Sequence, residues 1–249
     1  DHGQAGSYLV DVFRVRAHAG GRKDARCQYV FHGPGNDFDL QGLKLVAATD
    51  GAELALDSAR VGPGDAPWQI SWRVDKDYRF TAFSPGARGE TVMLGNGWGQ
   101  RDHRNRDRGA VLPYVIRTAG GAGLRQFVSV FAGEPKNRPL VKAVRCLPLP
   151  SPAPSDAVAI EIETTVGTDL VVSMLEPATI KLSTCAGEAA TDGRVAAVLA
   201  AAGKPVAAAL FGGTRLTLAD VNLSCARGAY RGKVVNTGRS QGESWFTVE

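Results

Sequence analysis

The chain has 249 residues, 44% of them apolar and 22% charged. That balance suits a globular protein with a substantial core and argues against extensive disorder. Lys and Arg number 29 against 25 Asp and Glu, a net charge of +4 that is compatible with an acidic polymer as partner but too small to demand one. No apolar run is long enough for a membrane-spanning helix, so no membrane partner is expected. The chain opens at Asp1 without a leader pattern and stops inside the alternating run SWFTVE, so both ends read as cuts in a longer polypeptide.

Period-two alternation dominates from the start. SYLVDVFRVR (7–16) puts Tyr8, Val10, Val12 and Arg14 on one face and Leu9, Asp11, Phe13 and Val15 on the other. Strands are expected over 27–33, 43–49, 68–74, 78–83, 91–95, 110–118, 125–133 and 140–147. Turn clusters separate them, such as GPGND at 33–37, GPGDAP at 62–67 and SPGARG at 84–89. The run PLPSPAPSD (148–156) holds four prolines, which exclude a central strand and favour an extended, semi-rigid linker. Beyond it Ala and Val rise, and strands are expected over 157–165, 169–175, 179–184, 205–218 and 233–237. RVAAVLAAA (194–202) is ambiguous, because alanine favours helix while its flanks favour strand. The fold class is therefore all-β. It is read as an antiparallel β-sandwich over 1–148, a Pro-rich linker over 149–156 and a smaller antiparallel β-domain over 157–249.

The densest group of functional side chains is GNGWGQRDHRNRDRG, residues 95–109. It carries Arg101, Arg104, Arg106 and Arg108, His103, Gln100, and Trp98 set among Gly95, Gly97 and Gly99. Arginine forks grip carboxylate or sulfate, and an exposed indole stacks on a sugar face. The competing interpretation is a solvated charged turn in which Asp102 and Asp107 neutralise neighbouring arginines. His32 closes a strand just before GPGND, where it could reach into a cleft or serve structure alone; Asp37 and Asp39 are candidate partners for it. Tyr8, Tyr29, Tyr78, Tyr114 and Tyr230 are capable of acid–base work, although Tyr29 and Tyr114 lie in apolar strands that suit core packing.

The four histidines form no HxH or HExxH pattern, so no metal ligand set is evident. The four cysteines form no CxxC pair. Cys27–Cys146 and Cys185–Cys225 are the most plausible disulfides, with four buried thiols as the alternative. No G-x-S-x-G elbow or nucleotide-binding loop occurs. A nucleic-acid partner is disfavoured, because the basic loop lacks the interleaved aromatics of single-strand platforms.

YLVDVFRV (8–15), YVFHGPG (29–35), GNGWGQRDHRNRDRGAVLPYVIR (95–117) and FVSVFAGE (127–134) together resemble the C-terminal β-region of the heparinase II/III-like polysaccharide lyases. The resemblance spans roughly 5–150 and continues more loosely through DLVVS (169–173) and GGTRL (212–216). The chain departs from that pattern in RAHAGGRKDARCQ, which is longer than a compact Gly-Gly-x-x-His-Asp-Tyr segment. Gln28-Tyr29 also stands where an Asp-Tyr pair is expected.

The resemblance implies a secreted or periplasmic lyase whose acidic polysaccharide lies between an α/α toroid and an antiparallel sandwich. Elimination there removes the proton beside the uronate carboxylate, with a Tyr or His as base or acid and polar or cationic groups neutralising the carboxylate. It implies His32 as a catalytic candidate, and Trp98, Gln100, Arg101, His103 and Arg104 as substrate-binding candidates. The toroid, an implied partner domain or chain, would supply most of the acid–base machinery, and a divalent metal is possible. These residues alone are expected to be inactive. The reading from a different class is a non-catalytic carbohydrate- or surface-binding β-module.

Overall fold

The computed structural model describes residues 2–3, 6–16, 26–49, 56–99, 104, 106, 109–121, 123–224, 232–236 and 243–245, the last two stretches as backbone. The chain is all-β and antiparallel, with no α-helix among the described residues. It divides into one unit of residues 7–139 and another of residues 1–6 with 140–249.

The first unit holds β1 (Tyr8–Arg16), β2 (Arg26–His32), β3 (Phe38–Gln41), β4 (Val46–Ala47), β5 (Asp57–Pro63), β6 (Trp68–Arg73), β7 (Tyr78–Ser84), β8 (Glu90–Trp98), β9 (Val111–Gly120) and β10 (Leu124–Pro135). They form two five-stranded sheets, ordered β1-β10-β7-β6-β3 and β2-β9-β8-β5-β4. Trp68, Ile70, Trp72 and Ala82 of the first sheet share one core with Val92, Leu94 and Val115 of the second. The sheets therefore pack face to face as a sandwich. Trp72, Ile70 and Phe127 have no exposed surface. Burial of each such side chain contributes about 1.5–3 kcal/mol.

One charged pair interrupts this apolar interior. Arg117 of β9 meets Glu90 of β8 through Nε–Oε1 at 2.7 Å and Nη2–Oε2 at 2.9 Å, both side chains 1% exposed. Its Nη1 donates across the sandwich to the Val128 carbonyl and Ser129 hydroxyl of β10, each at 2.8 Å. The guanidinium also lies 5.5–5.9 Å from the ring centres of Phe127, Trp68 and Tyr29. Nearby, the Tyr29 hydroxyl donates to Asp11 at 2.6 Å, and its ring stacks on Phe13 and Phe127. Burial, then the Asp11 carboxylate, raises the Tyr29 pKa. The core-packing role anticipated for Tyr29 thus comes with a polar tether between β2 and β1.

The second unit contains β11 (Val141–Cys146), β12 (Val158–Thr164), β13 (Thr168–Ser173), β14 (Ile180–Thr184), β15 (Gly187–Thr191), β16 (Val195–Ala201), β17 (Lys204–Phe211), β18 (Arg215–Leu218), β19 (Val221–Ser224), β20 (Gly232–Asn236) and β21 (Glu243–Trp245). A seven-stranded sheet runs β11-β12-β13-β16-β17-β20-β21, and a four-stranded one runs β14-β15-β18-β19. Leu170, Val172, Val198 and Leu210 of the larger sheet pack with Ile180, Leu182, Leu216 and Leu223 of the smaller. His2 and Asp169 form a buried pair, Nε2 to Oδ2 2.5 Å, and Asp169 also accepts the Ala200 amide. Asp192 anchors the start of β18 by accepting the Thr214 hydroxyl and the Thr214 and Arg215 amides. Burial pushes the Asp192 carboxyl up, but those hydrogen bonds outweigh it and hold the pKa below the ordinary value.

Two expectations differ from this architecture, the division of the chain and the cysteine pairing, and one ambiguity is resolved. The division falls at 139/140, because β11 pairs antiparallel with β12 and Leu147 joins the second core. The Pro-rich stretch is accordingly the β11–β12 connection inside the second unit. Cys27 and Cys185 are free thiols, so neither the Cys27–Cys146 nor the Cys185–Cys225 bond is present; Cys225 lies outside the described residues. Nor are the thiols all buried, since Cys185 is exposed while Cys27 is buried on the inward row of β2. The 194–202 stretch is strand β16, which sends Ala196, Val198 and Ala200 into the interior at alternate positions.

Candidate functional site

The candidate site lies at the end of the first sandwich where β2 finishes and β1 begins. A cleft of about 590 Å³ opens there. The second sheet contributes Phe31 and His32, from the last two positions of β2. The first sheet contributes Ser7, Tyr8 and Leu9 around the start of β1, Phe80 from β7, and Phe131 and Gly133 from β10. Phe80 and Phe131 lie parallel, with centroids 5.8 Å apart, while Phe31 meets Phe131 edge-on at 5.5 Å. The walls are therefore aromatic, and a carbon added at Gly133 would meet nothing within 4 Å.

His32 is held from two sides. Its Nδ1 lies 3.1 Å from the Gly33 carbonyl, and its ring sits 5.3 Å from Tyr114, its cross-strand partner on β9. Gly33 is there for space, since a Cβ would fall 2.0 Å from the Trp72 indole. Glycine alone lets the backbone turn flat against that ring, which fixes where His32 ends its strand. Asp37 and Asp39 are not partners of His32: Asp37 pairs with Arg73 at 3.0 Å, and Asp39 accepts from Gln41.

Tyr114 links His32 to Trp98, because its hydroxyl donates to the Trp98 carbonyl at 3.0 Å. Residues 95–98 belong to β8 rather than to a loop, with Trp98 opposite Val111. Gly95, Gly97 and Gly99 alternate along one face of this extension. Leu56, the Tyr114 ring and Leu112 occupy the space their side chains would need. The same alternation puts Trp98 on the face that carries Val92 and Leu94. That inward face thus runs past the packed core, leaving Trp98 60% and Val111 41% exposed. Trp98 stands three residues beyond the His32 row, about 10 Å along the strand. Leu9, Val74 and Tyr78 are also exposed at this end.

Arg104 and Arg106 are exposed within the β8–β9 connection. Gln100, Arg101 and His103 lie outside the described residues, as does Arg108. Of the sequence-derived candidates, the fold thus brings His32 and Trp98 to one end of one sheet, with Arg104 in the hairpin that Trp98 enters. Sequence reasoning missed the cleft itself. Its walls Phe31, Phe80 and Phe131 come from three separate strands, and only the alternation of each strand hinted that they face inward. Among the described residues no three His, Cys, Asp or Glu side chains converge as a metal site requires. The described residues therefore offer no ligand set for the metal that the resemblance allows, and no step is assigned to one. Comparison with protein-family models and with curated proteins finds no match to this chain.

Proposed function

We propose that this chain is the sheet portion of a polysaccharide-lyase-like protein, and that the end of its first sandwich holds an acidic, uronate-containing polysaccharide for β-elimination. The observation that supports the reading is that His32 and Tyr114 on the outer face of β2 and β9, and Trp98 and the aromatic cleft on the inner face, all lie at one end of the sandwich, from which β8 enters a connection rich in arginine. Elimination requires a base for the proton beside the carboxylate and a counter-charge that makes this proton removable. His32 is the candidate for proton transfer. Trp98 supplies a stacking face, and Arg104, with Gln100, Arg101 and His103 of the same segment, supplies polar and cationic groups for the carboxylate. The remaining acid–base residues belong to an α/α toroid in a longer periplasmic or secreted polypeptide.

The test is an absorbance assay for unsaturated uronate on alginate, heparan, chondroitin and hyaluronan. It compares the longer polypeptide with this chain by itself. The reading expects product from the former on at least one polymer and none from the latter. Binding without product from either would instead support a non-catalytic carbohydrate-binding module. That rival is favoured by a cleft whose walls hold aromatics and one histidine but no carboxylate. Absence of both product and binding across the panel would overturn the proposal.

A further inference from the structure

We infer that strand β1 is a self-association edge: β1 of one copy pairs antiparallel with β1 of a second copy, joining two β1-β10-β7-β6-β3 sheets into one. This stands apart from the polysaccharide reading and does not depend on it.

The first unit has four sheet edges, β1 and β3 in one sheet and β2 and β4 in the other. β3 and β4 are blunted by their length, four and two residues. β1 runs nine residues in unbroken register with β10 on one side and, among the described residues, has no strand on the other. It contains no proline and no bulge, two of the devices that discourage an added strand. Such an edge offers a row of backbone donors and acceptors to a further strand.

The side chains agree with the backbone. Phe13 packs on Tyr29 and Phe127 inside the sandwich, which makes Leu9, Asp11, Phe13 and Val15 the inner row of β1. Leu9 is nevertheless 63% and Phe13 39% exposed, so the apolar interior is uncovered beside this strand. On β2, by contrast, Cys27 of the inner row is buried and Tyr29 and Phe31 are half-buried. A strand added beside β1 lays its own inner row against Leu9 and Phe13.

The sequence of β1 suits a second copy of itself. A two-fold axis perpendicular to the sheet keeps inner row beside inner row. With that axis at Val12 all nine residues are paired: Tyr8 with Arg16, Leu9 with Val15, Val10 with Arg14, and Asp11 with Phe13. No like charges stand opposite each other in this register. Moving the axis to Asp11 shortens the overlap and sets the two carboxylates face to face, which is unfavourable. Nine paired residues give roughly eight to ten hydrogen bonds between the copies, as many as a typical whole interface carries. The contact is narrow, so the dimer is a reversible one.

The test is sedimentation equilibrium of the full chain from about 1 to about 300 μM, the span in which a small interface dissociates. The mass should rise from one chain to two. Leu9→Lys puts an ammonium against Val15 of the second copy and should raise the dissociation constant by at least about tenfold, as should Val15→Glu. The double variant Leu9→Lys/Val15→Glu sets opposite charges across both ends and should recover the dimer. Val12→Cys places two thiols on the axis, with Cα atoms about 4.5–5.5 Å apart and within disulfide reach, whereas Val10→Cys leaves them about 14 Å apart. Mild oxidation should therefore cross-link Val12→Cys well above the native chain, whose own free thiols set the background, and leave Val10→Cys at that background. Every variant is checked for an unchanged thermal transition. A monomer across the whole range, a dimer that Leu9→Lys leaves intact, or cross-linking no greater for Val12→Cys than for Val10→Cys would overturn the inference.

Discussion

Replacing Arg117 by methionine should be the most damaging single change in the first unit. The substitution keeps much of the side chain's length but removes four hydrogen bonds of 2.7–2.9 Å, two to Glu90 and two to β10. Glu90, 1% exposed in its side chain, is left as a buried carboxylate without its cation. Breaking a buried pair from one side costs about 3–5 kcal/mol, a large share of the roughly 5–15 kcal/mol that holds a domain together. With a urea dependence of about 2 kcal/mol per molar, a loss of about 4 kcal/mol lowers the midpoint by about 2 M. The assay is urea unfolding followed by tryptophan fluorescence, because Trp68 and Trp72 lie in the affected core. The double variant Arg117→Met/Glu90→Leu removes the orphaned charge and should recover part of the loss. The shortfall is the Val128 carbonyl, which still lacks its donor, at about 1–3 kcal/mol. The reasoning is refuted if the single variant costs under about 1 kcal/mol, or if the double variant is no more stable than the single.

Gly97→Val should destabilise the first unit by about 1–3 kcal/mol through overpacking, since its Cβ would stand 2.7 Å from the Tyr114 ring; thermal unfolding checks this, and an unchanged transition would show that the glycine is dispensable. The lowered pKa of Asp192 means that its contribution is present above the ordinary carboxylate range and lost as pH falls through the lowered value. Asp192→Asn should therefore be less stable than the native chain at neutral pH, by about 1 kcal/mol, with the gap closing in acid. A gap that widened on acidification would contradict that assignment. Tyr29 carries the opposite sign: its raised pKa makes its share of stability complete below the ordinary tyrosine range and lost as pH climbs through the raised value. In an ultraviolet titration, the native chain and Tyr29→Phe should accordingly show the same absorbance rise near pH 10, because Tyr29 ionises later than a solvated tyrosine.

Alternation made most of the fold legible. β1, β6, β7 and β10 fall where period two puts them; the inward rows of β6, β7 and β10 pack against the opposite sheet, while Leu9 and Phe13 of β1 stay exposed. β16 was ambiguous because alanine's helical preference is weak beside a packed cross-strand neighbour; Ala196, Ala197 and Val198 pair with β17 in register. β3 was hidden because FDLQ begins beside turn-forming residues, yet Phe38 and Leu40 face the core. The division between the units was misplaced because prolines suggest a linker equally well whether the connection joins units or strands. At the site, His32 and Trp98 stood out by residue type. Their link through Tyr114 did not, because it depends on the register of β2, β9 and β8. The glycines around Trp98 looked like loop residues, but their cause is steric: Leu56, Tyr114 and Leu112 lie where side chains would be.

The central claim, that a polysaccharide occupies the end of the first sandwich, is tested most directly by hydrogen-exchange footprinting with saturating hyaluronan oligosaccharide. The account predicts added protection confined to the end of β2 around Phe31–His32, the extension of β8 around Asn96–Trp98 and the start of β9 around Val111–Tyr114. Protection confined to the second unit, or to the opposite end of the sandwich around Arg16 and Arg26, would contradict it.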